Sequence, residues 1–164
     1  MKKVILILLT AISKVFYIPL GFSIFPTFCL MLGWAMPSRR VTFFAVLVST
    51  FLADIMISFL KGYPILGYWS FFTYTGFLLM AFKGKKLFNH YVDSPLFFRI
   101  LESLVGVTIL SFIFWIWTNF GSWLFEPSYP KNITGIIQCY TMALPFLGKS
   151  LLSNAICVGL LLSI

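Results

Sequence analysis

Polar side chains gather in one stretch of an otherwise apolar chain, between Trp115 and Lys149. Amide, thiol and phenol groups stand there among aromatic rings, and that combination is typical of a pocket for a small organic molecule. A belt of aromatic residues at a membrane interface would also explain the tryptophans and tyrosines taken one at a time. We predict a substrate-binding site, without a metal ion, whose members in this stretch are Asn119, Trp123, Gln138, Cys139, Tyr140 and Lys149.

Catalytic chemistry has little support in the sequence. The chain holds one histidine and four carboxylates that lie far apart, and neither a glycine-rich phosphate loop nor a Ser/His/Asp set can be assembled from it. Its three cysteines are odd in number and widely spaced, which argues against a disulfide framework and against a zinc site. We therefore expect no enzyme activity, no catalytic residue and no cofactor. A membrane enzyme that uses Cys139 or Asp54 is the rival hypothesis.

The composition is that of an integral membrane protein. Of the 164 residues, 60% are hydrophobic and 10% are charged, whereas a soluble domain has about a quarter of its residues charged. The net charge of +8 comes from short basic clusters between apolar runs, a pattern that encodes topology and argues against nucleic-acid binding. We expect one transmembrane domain over residues 1–164, in contact with the lipid bilayer. The first apolar run is interpreted as a retained helix rather than a cleaved signal peptide.

Six apolar segments would position the candidate residues. A helix that crosses a bilayer needs about 20 mostly apolar residues, and glycine or proline marks most of the segment ends. The predicted helices cover residues 3–18, 25–36, 41–60, 65–82, 95–120 and 135–164, of which the second is short. The predicted fold class is therefore an all-α integral membrane bundle of about six transmembrane helices.

Basic residues orient this bundle. With the N-terminus inside, seven lysines and arginines fall on the inner side and two on the outer side, which is a positive-inside signal. An even number of helices then places the C-terminus inside as well. The inner residues are Lys2, Lys3, Arg39, Arg40, Lys83, Lys85 and Lys86, and the outer ones are Lys61 and Lys131.

Asp54 completes the predicted site. By helical rise it lies roughly 20 Å from the inner surface, and Lys149 lies at about 22 Å, while Lys14 falls in the outer half of the first helix. Ionisable groups at membrane depth are costly and mark functional sites by default. One acid and two lysines at similar depth predict an ion pair of Asp54 with Lys149 or Lys14, either structural or touching a ligand. The alternative is that the lysines extend to the headgroups and Asp54 only packs helices.

The last apolar segment is too long to cross a bilayer upright. Its 31 residues, 134–164, would make a helix of about 46 Å, against a hydrocarbon core of roughly 30 Å. Pro145 and Gly148 lower the cost of an interruption, so we predict a break at residues 144–148. A long tilted helix with an ordinary proline kink is the alternative.

A resemblance to a known family rests on Thr118-Asn-Phe-Gly-Ser-Trp123 and Gln138-Cys-Tyr-Thr-Met-Ala-Leu-Pro-Phe-Leu147, with Ser38-Arg-Arg40 and Leu52-Ala-Asp54 in support. These segments resemble an uncharacterised family of small bacterial six-helix membrane proteins assigned to transport. That family is similar in size, helix count and hydropathy to the S components of energy-coupling-factor (ECF) vitamin transporters. The resemblance implies a multi-pass protein of the bacterial cytoplasmic (inner) membrane that captures a vitamin in an outward-facing pocket. It also implies docking on an energising module of two ATPases and a coupling protein.

The first helix departs from the S-component pattern. S components commonly carry Ala-x-x-x-Ala there, whereas this chain has Thr10-Ala-Ile-Ser13, so a solitary transporter stays open. The expected function is uptake of a small organic nutrient, vitamin-like, with a cobalamin as one candidate. The Cys139 thiolate would suit the soft metal centre of such a ligand. The alternative function is a structural or assembly subunit of a membrane complex, without a ligand of its own.

Overall fold

The computed structural model of the protein describes residues 2–15, 24–89 and 95–163. The described residues form helices and the turns between them, which confirms the all-α prediction. In chain order the six helices are α1 (Lys2–Val15), α2 (Phe25–Ala35), α3 (Arg39–Lys61), α4 (Tyr68–Asn89), α5 (Leu96–Phe125) and α6 (Ile133–Ser163).

Three of the described helices are long and apolar enough to cross a membrane, which confirms the prediction of a membrane protein. The qualifying segments are Arg39–Lys61 in α3, Ile100–Phe125 in α5 and Ile133–Gly159 in α6. The described parts of α1 and α2 have 14 and 11 residues, or about 21 and 16 Å at the helical rise. Neither length crosses a core of roughly 30 Å, so six full spans stay a prediction.

The short helix α2 lies at the centre of the bundle. It contacts α1, α3, α4 and α6, and most of its side chains are buried, among them Phe25, Thr27, Cys29 and Leu30. A helix that is apolar on every side is stable only when other elements cover every side. The segment that looked weakest as a membrane span is therefore the core around which the longer helices pack.

Two glycines bring α2 and α4 into backbone contact. A Cβ built on Gly33 would lie 1.6 Å from the carbonyl oxygen of Ala81, and one built on Gly84 would lie 2.0 Å from that of Leu30. Small residues let helix backbones approach closely in membrane proteins. The pairing is reciprocal, since each helix supplies one glycine and one carbonyl.

Basic residues meet at one end of the bundle. Ser38 caps α3 by accepting a hydrogen bond from the Val41 backbone N–H at 3.4 Å. Next to this cap, a cleft of about 460 Å³ is lined by Arg39, Lys85 and Lys86. The positive-inside rule concerns such basic groups at one end of a bundle, and the inward orientation of this end stays a prediction.

Some predicted helix bounds were wrong. Helix α4 begins at Tyr68 and runs through Lys83–Lys86, where a loop was expected, and α5 extends to Phe125. The predicted break at residues 144–148 is also wrong, because α6 is continuous across Pro145. A proline removes one helical hydrogen bond, and here the packing of α5 alongside α6 supports the helix past that position. The continuous helix is the alternative that the sequence had left open.

Candidate functional site

A cavity of about 330 Å³ is lined by side chains from all six described helices. We call it the central cavity. One lining residue from each helix, in chain order, is Lys14, Pro26, Ile57, Phe77, Trp115 and Ala143. The site therefore exists only when the whole bundle is assembled.

Aromatic rings form much of the cavity wall. Phe77 and Phe114 stack with centroids 4.7 Å apart and planes at 21°, and Trp115 and Phe146 add further apolar surface. The polar groups in the wall are few: Lys14, Ser111, Thr118, Asn119 and Ser150. An apolar cavity with a small number of placed polar groups is the usual form of a site for a small organic ligand.

Asp54 forms an ion pair with Lys14. The Lys14 ammonium Nζ lies 2.5 Å from Asp54 Oδ1, and the two side chains are 17% and 15% exposed. The Tyr74 hydroxyl donates to the other carboxylate oxygen, Asp54 Oδ2, at 2.7 Å. This confirms the predicted pairing of Asp54 with a lysine at similar depth and selects Lys14; Lys149 is not its partner.

Three aromatic rings surround the same ammonium group. Lys14 Nζ lies 5.7 Å from the centroid of Phe25 and 5.9 Å from those of Tyr74 and Phe77. The negative faces of such rings attract a cation within about 6 Å. The rings and Asp54 together compensate a charge that would otherwise be costly away from water.

A buried amide, Asn154, joins three helices beside the cavity. Its Oδ1 accepts from the Thr27 hydroxyl at 2.8 Å, and its Nδ2 donates to Ser111 Oγ at 3.1 Å and to Ser150 Oγ at 3.3 Å. Asn154 is fully buried, and both serines line the central cavity. Our sequence reasoning missed this residue, although an amide in the middle of an apolar helix is itself a signal of interhelical hydrogen bonding.

A second cavity, of about 360 Å³, lies between the α5–α6 loop and the central cavity. We call it the loop cavity. It shares Asn119, Ala143 and Phe146 with the central cavity. Asn119, a predicted site residue, therefore lines both spaces; its Nδ2 donates to the Trp115 carbonyl at 2.8 Å.

Cys139, another predicted site residue, lines the loop cavity. The residue is 2% exposed, and its thiol donates to the Asn119 carbonyl at 3.5 Å. Nearby, partial burial and the neighbouring Cys139 and Glu126 raise the pKa of the Tyr129 phenol, which makes its ionisation still less favourable. Within the described residues, no three His, Cys, Asp or Glu side chains group to hold a metal ion.

The other predicted site residues have different surroundings. Tyr140 donates to the Ile116 carbonyl at 2.8 Å and packs edge-on against Trp115, with centroids 5.0 Å apart, so it joins α6 to α5. Gln138 and Lys149 are exposed. Neither of them, nor Tyr140, lines the central or the loop cavity.

Trp123 holds the loop that covers the loop cavity. Its indole N–H donates to the Pro130 carbonyl at 3.0 Å, and the Lys131 ammonium donates to the carbonyls of Trp123 and Glu126. The Tyr68 hydroxyl donates to the Glu126 carboxylate. These bonds tie residues 126–131 to the ends of α4 and α5.

Comparison with known proteins gives a family but no characterised relative. No curated protein and no solved structure matches the chain. A family model does match, over residues 1–164, and the chain belongs to that family, which is described as a family of unknown function (DUF6580).

Proposed function

We propose that the protein is a transport protein of the bacterial inner membrane, with six spans, that binds a small organic nutrient for uptake. The observation that carries the proposal is the central cavity, to which every described helix contributes. Ligand sites in helical bundles are built in this way, from side chains on facing helices.

The position of the cavity along the helices supports loading from outside. With the N-terminus inside, Lys14 lies about 18 Å along α1 from its inner end, and Asn119 lies about 9 Å from the outer end of α5. The cavity would then occupy the outer half of the bilayer. The loop cavity, which shares Asn119 with it, would connect it to the outer surface.

The cavity volume limits the ligand. About 330 Å³ is at the lower end of the roughly 300–1,000 Å³ of small-molecule sites. It favours a vitamin-like molecule of one or two rings over a cobalamin, whose corrin ring and nucleotide loop are much larger. Coupling to a module of ATPases, as in S components, is the part of the proposal that rests only on the likeness in size and helix count.

A cavity-filling variant tests the proposal. Ala143 lines both cavities and is 8% exposed, whereas its neighbour Leu144 is 52% exposed. In nanodiscs, a panel of vitamin-sized compounds should include one that raises the melting temperature of the wild-type protein. The shift should disappear in Ala143→Phe and persist in Leu144→Phe. If no compound shifts the melting temperature and a partner subunit co-purifies in fixed ratio, the structural-subunit alternative holds instead.

A further inference from the structure

We infer that the ligand of the central cavity is a compact aromatic carboxylate whose acid group contacts Lys14. The inference rests on the proposed function, because it names the chemical class that the cavity would bind. It follows from the hydrogen-bond donors that the described side chains leave unused around this space.

The Lys14 ammonium group has N–H donors that no oxygen of the described residues accepts. An ammonium group carries three N–H donors, and one of them goes to Asp54 Oδ1 at 2.5 Å. No other oxygen of the described residues accepts from Lys14 Nζ, which also lies 5.7–5.9 Å from three ring centroids. Because Lys14 lines the cavity, an oxygen of a bound ligand can accept from the unused N–H groups.

Within the ion pair, Lys14 lines the central cavity and Asp54 does not. Both carboxylate oxygens of Asp54 already accept a hydrogen bond, one from Lys14 and the other from Tyr74. A molecule in the cavity therefore meets the cation of the pair and not the anion. In a site of low dielectric this favours a carboxylate and disfavours an ammonium group.

The serine hydroxyls add donors of the same kind. Ser111 and Ser150 each use their oxygen to accept from Asn154 Nδ2. A hydroxyl that accepts still has its own hydrogen to give, and no oxygen of the described residues takes it. The wall thus offers ammonium and hydroxyl donors with few free acceptors, which suits an acceptor-rich ligand. The rings of Phe114 and Trp115 suit a flat body attached to it.

Matched probes test the inference. The probes are three pairs, each made of an acid and the amide of the same ring system. They are benzoate with benzamide, nicotinate with nicotinamide, and indole-3-acetate with indole-3-acetamide. Affinities are measured by calorimetry on protein in nanodiscs at pH 7. At least one acid should bind about tenfold or more tightly than its own amide, because a charge-assisted hydrogen bond is stronger than a neutral one.

The two variants of the ion pair are expected to change the binding of the acid probes in opposite directions. Lys14→Met should abolish the preference for the acid while the amide still binds. Asp54→Asn should strengthen acid binding by about tenfold or more, because the ligand becomes the sole counter-ion of Lys14. A purely structural pair predicts the reverse, namely weaker binding in Asp54→Asn. The neutral double variant Lys14→Met/Asp54→Asn keeps the site free of lone charges, and it replaces Lys14→Met if that single variant does not fold.

Several results overturn the inference. They are equal binding of acids and amides, an acid preference that survives in the double variant, weaker acid binding in Asp54→Asn, and no binding of any acid. These results can be told apart from a failure of the proposed function. If a neutral or cationic compound from the vitamin panel binds and Ala143→Phe abolishes that binding, the cavity is a ligand site and only the carboxylate class is wrong.

Discussion

Tyr74 donates its hydroxyl hydrogen, at 2.7 Å, to the oxygen of Asp54 that does not pair with Lys14. Both carboxylate oxygens therefore have a partner, and the same tyrosine ring lies 5.9 Å from Lys14 Nζ. A carboxylate removed from water is tolerated only when its lone pairs are satisfied in this way. The relationship links α1, α3 and α4, and of its three residues Lys14 lines the central cavity.

Replacing Tyr74 with phenylalanine should lower stability by about 1.5–3 kcal/mol, the range for hydrogen bonds to charged groups. The ring stays, so the contact with Lys14 is kept and only the donor to Asp54 is lost. Thermal unfolding in nanodiscs measures the change. Tyr63→Phe is the control, because Tyr63 is 62% exposed; equal melting temperatures for the two variants would show that the hydroxyl of Tyr74 contributes nothing.

Because α2 and α4 are in backbone contact at Gly33, one added methyl group there should strongly affect the stability of the bundle. Gly33→Ala should destabilise the bundle by about 1–3 kcal/mol or more, because the new Cβ would meet the Ala81 carbonyl and the backbones must separate. Gly148→Ala is the matched control, since nothing lies within 4 Å of a Cβ there. In that exposed helical position alanine should gain up to about 1 kcal/mol. Opposite signs in chemical unfolding confirm the close packing, and a neutral Gly33→Ala contradicts it.

The helices could be predicted because lipid-compatible runs of the required length are visible in the sequence. Their pairing could not. Depth along the helix placed Lys14, Lys149 and Asp54 at a similar level, but only the packing of α1 against α3 decides which lysine reaches Asp54. In the same way, Gly33 gives no sign that it faces the carbonyl of Ala81.

The candidate site was partly visible in the sequence. Asn119 stood out as an amide among aromatic rings, and it lines both cavities. Asn154 received no role in the sequence analysis, because its partners Thr27 and Ser111 come from distant parts of the chain. Pro145 suggested a break, but α6 is continuous there and packs along α5. The missing information was in each case the neighbouring helix.

Lys149 poses a problem for a helix in lipid. Its side chain is exposed, and it lies about 24 Å from the start of α6 and about 21 Å from its end by helical rise. On insertion scales a lysine at the centre of a membrane helix costs about 2.5–3.5 kcal/mol. We expect Lys149→Met to raise stability in a bilayer by up to that amount and to leave ligand binding unchanged, because Lys149 does not line the central cavity.

The same substitution at Lys131 is the control for Lys149→Met. The Lys131 ammonium donates to the carbonyls of Trp123 and Glu126, so Lys131→Met should destabilise the protein where Lys149→Met stabilises it. Unfolding in nanodiscs and calorimetry with the bound ligand measure both effects. A tenfold loss of ligand affinity in Lys149→Met would return Lys149 to the binding site that the sequence predicts. Unchanged affinity with lost uptake in cells would instead place Lys149 at a contact with a partner protein, where a carboxylate at the same depth would compensate the ammonium group.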